Sequence, residues 1–167
     1  MALYQAGDYI IYGSEGVCKV EAVGHPDVSM ADASREYYTL SPVYRGGCNY
    51  IPVDSKVFMR PVISREEALA LVEQAAEIDM NHYENCNLRE INDHYTAMLQ
   101  SHDCKALIQL VKTVYQKRET LLGNGKKLGQ IDERYMKRAE ELLFGELAVV
   151  LGMEREAVSA LILERLQ

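Results

Sequence analysis

Residues 1–63 alternate between apolar and polar positions in short runs separated by turns that contain glycine. The runs are Tyr9–Tyr12, Val17–Val23, Glu36–Tyr44, Cys48–Val53 and Lys56–Arg60. A period of two in runs rich in β-branched and aromatic residues predicts a strand for each run. Because five strands are too few for a sandwich, we expect a small, strongly bent β-barrel of the SH3/Tudor-like kind.

Such a barrel leaves at least one edge strand, and Pro52 favours Cys48–Ile51 as that edge. Proline lacks a backbone N–H and is tolerated at edges or strand ends, so the alternative that Pro52 simply ends a central strand stays open. An edge with unpaired backbone groups can bind a strand of another protein. We expect the Ile51 amide to be one of the outward donors.

From Ser64 onward the apolar period is helical. Ser64 and Glu67 have the spacing of a capping box, and Ala68, Leu71 and Val72 begin an amphipathic stripe. Further helical patterns cover 88–99, 102–122, 132–151 and 154–166, with Asp132 as the expected N-cap of the fourth helix. The sequence therefore predicts an α+β protein, with a β domain over 1–63 and an all-α helical domain over 64–167.

The segment Lys105–Arg138 is basic, although the chain has a formal net charge of −7. It holds nine Lys/Arg against three Asp/Glu, whereas residues 64–104 hold two against nine and residues 139–167 hold two against six. A local excess of this kind favours a surface for a polyanion. The alternative is a solvated helix face.

Composition excludes several classes of protein. With 48% hydrophobic and 26% charged residues, the chain is expected to fold. Its apolar runs are too short to span a membrane, and Met1–Asp8 lacks the pattern of a secretory signal. The four cysteines are widely spaced and are expected to be reduced, so we predict a cytoplasmic protein without a membrane partner.

No motif predicts catalysis, a cofactor or a metal site. Gly123–Lys127 lacks the spacing of a phosphate-binding loop and follows a helix, whereas such loops follow a strand. His82, Cys86, His102 and Cys104 match no zinc-binding spacing. Because no nucleophile motif is present either, we expect a binding protein that is not an enzyme.

Several segments, taken in order, carry a family resemblance. In the amino-terminal part they are Gly7–Tyr12, Glu15–Val17, Glu36–Leu40, Ile51–Asp54 and Arg60–Ser64. In the helical part they are Tyr95–Leu99, Ala106–Ile108, Asp132–Ala139 and Gly145–Ala148. In their order and spacing these segments resemble the CarD family of bacterial transcription regulators.

The resemblance implies a Tudor-like domain that pairs a strand edge with the β subunit of RNA polymerase. The residues expected at this edge are Cys48, Asn49, Tyr50, Ile51 and Pro52. It also implies that the helical domain lies against promoter DNA at the upstream edge of the melted region and stabilises the open complex. In the family, a Trp wedges into the minor groove there while neighbouring basic residues hold phosphates.

This chain departs from that pattern at the wedge. Ile91 stands where relatives have the Trp, and Asn92–His94 stand where relatives have Arg. An isoleucine can still act as a wedge, and the basic segment can supply the phosphate contacts. The residues expected to contact DNA are Ile91, His94, Lys112, Lys126, Lys127, Arg134, Lys137 and Arg138.

A second hypothesis is an adaptor that binds polymerase without touching DNA. The net charge of −7, the missing Trp and the acidic Asp93 favour it. The oligomeric state stays open, with a monomer favoured, because exposed edges also permit association.

Overall fold

A computed structural model describes residues 2–29, 32–80 and 87–167. The chain divides into two compact units, Met1–Val62 and Ile63–Gln167. Each unit has its own cluster of buried apolar residues. The first unit contains strands only, and the second contains helices only, among the residues described.

The amino-terminal unit is one antiparallel sheet. Its strands are β1 (Tyr9–Tyr12), β2 (Gly16–Gly24), β3 (Tyr37–Pro42), β4 (Asn49–Pro52) and β5 (Met59–Pro61). Their order in the sheet is β4-β3-β2-β1-β5, so β4 and β5 form the two edges. All five predicted strands are present, and β3, β4 and β5 are each shorter than the predicted runs. Within the described residues the sheet is open, and closure into a Tudor-like barrel is not observed.

One face of this sheet holds the small core of the unit. Ile10, Cys18, Val20 and Leu40 are fully buried there, because alternate residues of a strand face the same side. Tyr38 lies among them at 1% exposure. Its hydroxyl accepts a hydrogen bond from the Leu3 amide at 2.9 Å, which holds the amino-terminal segment against the core.

The second unit consists of helices packed around a larger core. They are α1 (Arg65–Gln74), α2 (Leu88–Gln100), α3 (Cys104–Gly123), α4 (Gln130–Leu151) and α5 (Arg155–Leu166), and a short 3-10 turn (Ala75–Glu77) follows α1. Gly152 ends α4 in the left-handed conformation with φ of 65°, as its position after the apolar pattern predicts. None of the described helices is both long and apolar enough to cross a bilayer.

Side-chain caps fix where several helices begin. The Ser64 hydroxyl accepts from the Glu67 amide at 3.1 Å, which confirms the predicted N-cap of α1. Helix α2 begins with a complete capping box between Asn87 and Glu90, which the apolar pattern did not reveal. Asp103 is the N-cap of α3 and accepts from the amide two residues later.

Asp132 does not cap α4, so that prediction was wrong. Helix α4 begins at Gln130, and Gly129 occupies the N-cap position. Asp132 is only 6% exposed and accepts a hydrogen bond from the Tyr95 hydroxyl at 2.7 Å. Its other oxygen lies 2.8 Å from Lys117 Nζ. One buried carboxylate therefore joins α2, α3 and α4.

A second buried carboxylate fixes the start of this unit. Glu146 is 1% exposed, and its Oε2 accepts from the Ile63 amide at 2.9 Å. Its Oε1 accepts from Cys104 Sγ at 3.1 Å. Since buried carboxylates are costly without partners, these contacts explain how α4 tolerates a glutamate in its core-facing stripe.

We predict that Asp132→Asn destabilises the protein by about 1–3 kcal/mol, because it removes a charged acceptor from a buried network. Asp103→Asn is the matched control. Asparagine caps a helix about as well as aspartate, so this substitution is expected to be nearly neutral. Urea unfolding of both variants measures the difference. Equal, small effects would contradict the buried role of Asp132.

Candidate binding edge and basic surface

The strand order confirms the predicted edge. Strand β4 pairs with β3 on one side only, antiparallel, with Tyr38 opposite Ile51 and Leu40 opposite Asn49. Among the described residues no strand covers its other side. The main chain of β4 therefore offers hydrogen-bonding groups that the sheet does not use.

The direction of each backbone group follows from the register. The Val53 amide donates to the Glu36 carbonyl at 3.0 Å, one step beyond the end of β4. In an antiparallel ladder the hydrogen-bonded pairs recur at every second residue. Ile51 and Tyr38 therefore form the next such pair, and the Ile51 amide points into the sheet.

The outward groups of β4 are the Tyr50 N–H, the Tyr50 carbonyl and the Pro52 carbonyl. Pro52 has no N–H, so Tyr50 is the single outward donor within β4. The expectation that Ile51 supplies an edge donor was therefore wrong. The error arose because the sequence shows the strand but not its register, and a shift of one residue reverses every backbone direction.

The side chains of the edge lie on two faces. Ile51 is half-buried and packs against the core of the unit. Tyr50 is on the opposite face at 39% exposure, and Cys48 Sγ donates a hydrogen bond to its hydroxyl at 3.6 Å. All five predicted edge residues thus lie along β4 and the residue before it.

The second edge, β5, is shorter and differs in its hydrogen bonding. The Gly13 amide donates to the Phe58 carbonyl at 2.8 Å, so the ladder's alternation directs the Arg60 backbone toward β1. Met59 and Pro61 therefore point outward. The Arg60 guanidinium donates to the Pro61 carbonyl at 3.0 Å, so one outward acceptor already has a partner. Strand β4 is the more open edge.

In the helical unit, the predicted wedge residue lies in the core. Ile91 is 7% exposed and packs on the buried face of α2 with Tyr95 and Met98. A wedge has to protrude from the surface, so the burial of Ile91 does not fit the predicted role of a DNA wedge. His94 is exposed on the same helix. The neighbouring Asn92 is directed toward α4, where its Oδ1 accepts from the Tyr135 hydroxyl at 2.7 Å.

Lys112 is held inside its own unit. Its Nζ donates to the carbonyls of Ala76 and Ile78 at 2.5 and 2.7 Å. The ammonium group thereby ties the 3-10 turn to α3, a contact between residues more than thirty positions apart that no local pattern reveals. Lys112 is therefore engaged within its own unit and does not fit the predicted role of a DNA contact.

Acidic neighbours lie close to three more basic residues. Lys117 pairs with Asp132, as described above, and the Arg138 guanidinium lies 3.3 Å from Glu141. Burial raises the pKa of the Glu140 carboxyl, and the nearby Arg118 guanidinium partly opposes this effect. Two basic residues of α3, Lys117 and Arg118, thus have acidic neighbours on α4, and Arg138 pairs within α4 itself.

Four basic residues remain exposed in one stretch of the chain. Lys126 and Lys127 lie in the loop between α3 and α4, and Arg134 and Lys137 lie in the first turns of α4. We call these four residues the α4 basic segment. Arg134 and Lys137 are one helical turn apart, so they occupy the same side of α4.

Comparison with protein families identifies the first unit. A family profile described as the CarD-like/TRCF RID domain matches residues 4–63. The amino-terminal unit is a CarD-like/TRCF RID domain. Over residues 4–63 the match confirms the resemblance to the CarD family, and it indicates a transcription-related function that involves RNA polymerase. No curated protein matches the chain.

The residues considered for zinc do not form a site within the described part of the chain. No group of three or more His, Cys, Asp or Glu side chains there is arranged to hold a metal ion. His82 and Cys86 lie outside the described residues. Cys104 donates to Glu146 in the helical core, as described above.

The two cysteines of the RID domain differ in environment. Cys18 is buried in the core, and burial raises the pKa of its thiol to about 11, with a smaller contribution from Glu15. Cys48 is exposed at the start of the β4 edge. Since the thiolate is the reactive form, the two thiols are expected to react at different rates.

We predict that N-ethylmaleimide at neutral pH modifies Cys48 well before Cys18 or Cys104, both of which are buried. Peptide mapping by mass spectrometry after a short exposure measures the order of modification. A Cys48→Ser variant shows how much reaction the remaining sites contribute. Modification of Cys18 as fast as Cys48 would contradict the described burial of the RID core.

Proposed function

We propose that the protein is a transcription regulator that docks on the β subunit of RNA polymerase through β4 of its RID domain. The observation that carries this proposal is the open β4 edge, whose outward donor and acceptors belong to Tyr50 and Pro52. A partner strand placed beside β4 would extend the sheet. The activity is binding and not catalysis, and a polymerase partner implies a cytoplasmic location.

The two faces of β4 define what the partner strand should look like. On the core face, a strand beside β4 would lie next to the half-buried Ile51 and Val53, so an apolar side chain fits there. On the other face it would meet the exposed Tyr50 ring. The partner should therefore alternate between apolar and more polar residues, as strands with one buried face do.

We predict that Tyr50→Pro greatly weakens binding to the isolated β-subunit lobe, because it removes the only outward donor of β4. Tyr50→Ala is the matched control, since it removes the ring but keeps the N–H. Pull-down or titration with the lobe measures both. Tyr50→Pro should leave the thermal unfolding of the RID domain close to that of Tyr50→Ala.

Ile51→Pro is expected to behave differently from Tyr50→Pro. Because the Ile51 amide faces β3, the substitution breaks the sheet itself and lowers the unfolding temperature. Folded Tyr50→Pro protein that binds as well as Tyr50→Ala would contradict docking through this edge.

We further propose that the helical unit contacts promoter DNA through the α4 basic segment and so affects the stability of the open complex. Lysine and arginine contacts to phosphates are independent of sequence and release counterions, which makes binding dependent on salt. Docking on polymerase would raise the local concentration of DNA, so weak intrinsic affinity suffices. The exposure of Lys126, Lys127, Arg134 and Lys137 supports this proposal.

We predict that the double substitution Arg134→Glu and Lys137→Glu weakens binding to mixed-sequence duplex DNA. If each residue neutralises one phosphate, the slope of log affinity against log salt becomes shallower by about 1.8. Fluorescence anisotropy at several salt concentrations measures this slope. Lys56→Glu, a charge reversal at an exposed site of the RID domain, is the control. An unaltered slope in the double variant would remove the segment from the proposal.

The adaptor that binds polymerase without DNA remains the second candidate. Two observations favour it: Ile91 is buried, and Lys112 and Lys117 are engaged within the helical unit. Absence of DNA binding by the wild-type protein at low salt, together with retained binding to the β-subunit lobe, would support the adaptor.

A further inference from the structure

Arg134 differs from the other residues of the α4 basic segment in having an aromatic support. Its guanidinium carbon lies 5.2 Å from the centre of the Tyr135 ring, within the range of a cation–π contact. The Tyr135 ring in turn packs against the buried ring of Tyr95, with 5.3 Å between centroids and 51° between planes. The guanidinium therefore rests on a support that continues into the core.

The Tyr135 ring is fixed at its other end by α2. Its hydroxyl donates to Asn92 Oδ1 at 2.7 Å and lies 2.9 Å from Thr96 Oγ1. Thr96 also donates to the Asn92 carbonyl at 2.8 Å, which fixes the hydroxyl of Thr96 on the helix. The ring thus spans from α4 to α2 with both its face and its hydroxyl engaged.

We propose that Tyr135 is a positioning residue that holds the Arg134 guanidinium as a preorganised ligand for a phosphate group. This inference rests on the proposed contact between the helical unit and DNA. It distinguishes Arg134 from Lys126, Lys127 and Lys137, which contribute charge on flexible side chains. It also gives Asn92 a role, since Asn92 fixes the ring on which Arg134 lies.

The physical advantage lies in geometry and entropy. A guanidinium held over a ring face can direct N–H groups away from the ring, where two of them can bond one phosphate. Holding the side chain in place before binding also reduces the loss of side-chain freedom on association. A lysine at the same position would keep the charge but lacks the planar group whose paired N–H donors can bond one phosphate.

The test uses the full-length protein and a short duplex of mixed-sequence DNA, titrated by fluorescence anisotropy at several salt concentrations. Arg134→Lys keeps the charge and removes the planar group. Arg165→Lys, at an exposed position of α5 outside the α4 basic segment, is the matched control, in which the charge is also kept. We expect Arg134→Lys to weaken binding about three- to fivefold with an unchanged salt slope, and Arg165→Lys to leave binding unchanged.

Tyr135→Leu extends the test to the support itself. If the ring acts through Arg134, Tyr135→Leu weakens binding by a similar factor, and adding Arg134→Lys to it causes little further loss. Thermal unfolding by circular dichroism establishes that each variant is folded. Should Tyr135→Leu not fold, Tyr135→Phe takes its place, because it keeps the ring in the core and removes the hydroxyl bond to Asn92 that fixes it. Weakened binding in Tyr135→Phe that disappears in the Arg134→Lys background supports the positioning role, and unchanged binding in Tyr135→Phe contradicts it.

Each outcome bears on the inference. Equal affinity of Arg134→Lys and wild type, with weakened binding in Arg134→Glu, would overturn the positioning role while leaving the DNA contact intact. Absence of DNA binding by the wild-type protein would overturn both the DNA contact and this inference. Polymerase docking through β4 is measured separately and is unaffected by either result.

Discussion

An antiparallel ladder uses the backbone groups of only every second residue in an edge strand, and this constraint determines what the RID domain can bind. In β4 it directs Ile51 toward β3 and Tyr50 outward, and Pro52 then removes the other outward donor. The same rule leaves Met59 as the outward donor of β5, where Arg60 already contacts the neighbouring carbonyl. The two edges of the sheet therefore differ in how readily they accept a partner strand.

In the helical unit, the comparable constraint is that charge near the core must have a partner. Asp132 accepts a hydrogen bond from the Tyr95 hydroxyl and forms an ion pair with Lys117. The Lys112 ammonium group donates to carbonyls at the end of the 3-10 turn. Positive charge that looks uniform along the sequence is thus divided between internal contacts and an exposed remainder. The exposed remainder consists of Lys105 and the α4 basic segment, and it is smaller than the basic segment Lys105–Arg138.

The sequence predicted the elements well because their signals are local. The alternation in Tyr9–Tyr12, the capping hydroxyl of Ser64 and the glycine at position 152 each act within a few residues. What it could not supply were contacts between distant positions. An aspartate ahead of an amphipathic run fits an N-cap equally well whether or not Tyr95 reaches it, so Asp132 was misassigned. The direction of the Ile51 amide depends on its pairing with Tyr38, which strand composition does not encode.

The central claim is that a polymerase strand pairs with β4, and the exchange of single backbone amides tests it most directly. Hydrogen exchange of the labelled protein, followed by NMR with and without the isolated β-subunit lobe, reports on each edge separately. The account predicts that the lobe slows exchange at the Tyr50 amide and leaves the Met59 amide unchanged. Protection of the Met59 amide without the Tyr50 amide would show that the partner pairs with β5 and would contradict docking through β4. Binding that protects neither amide would show that docking does not extend the sheet.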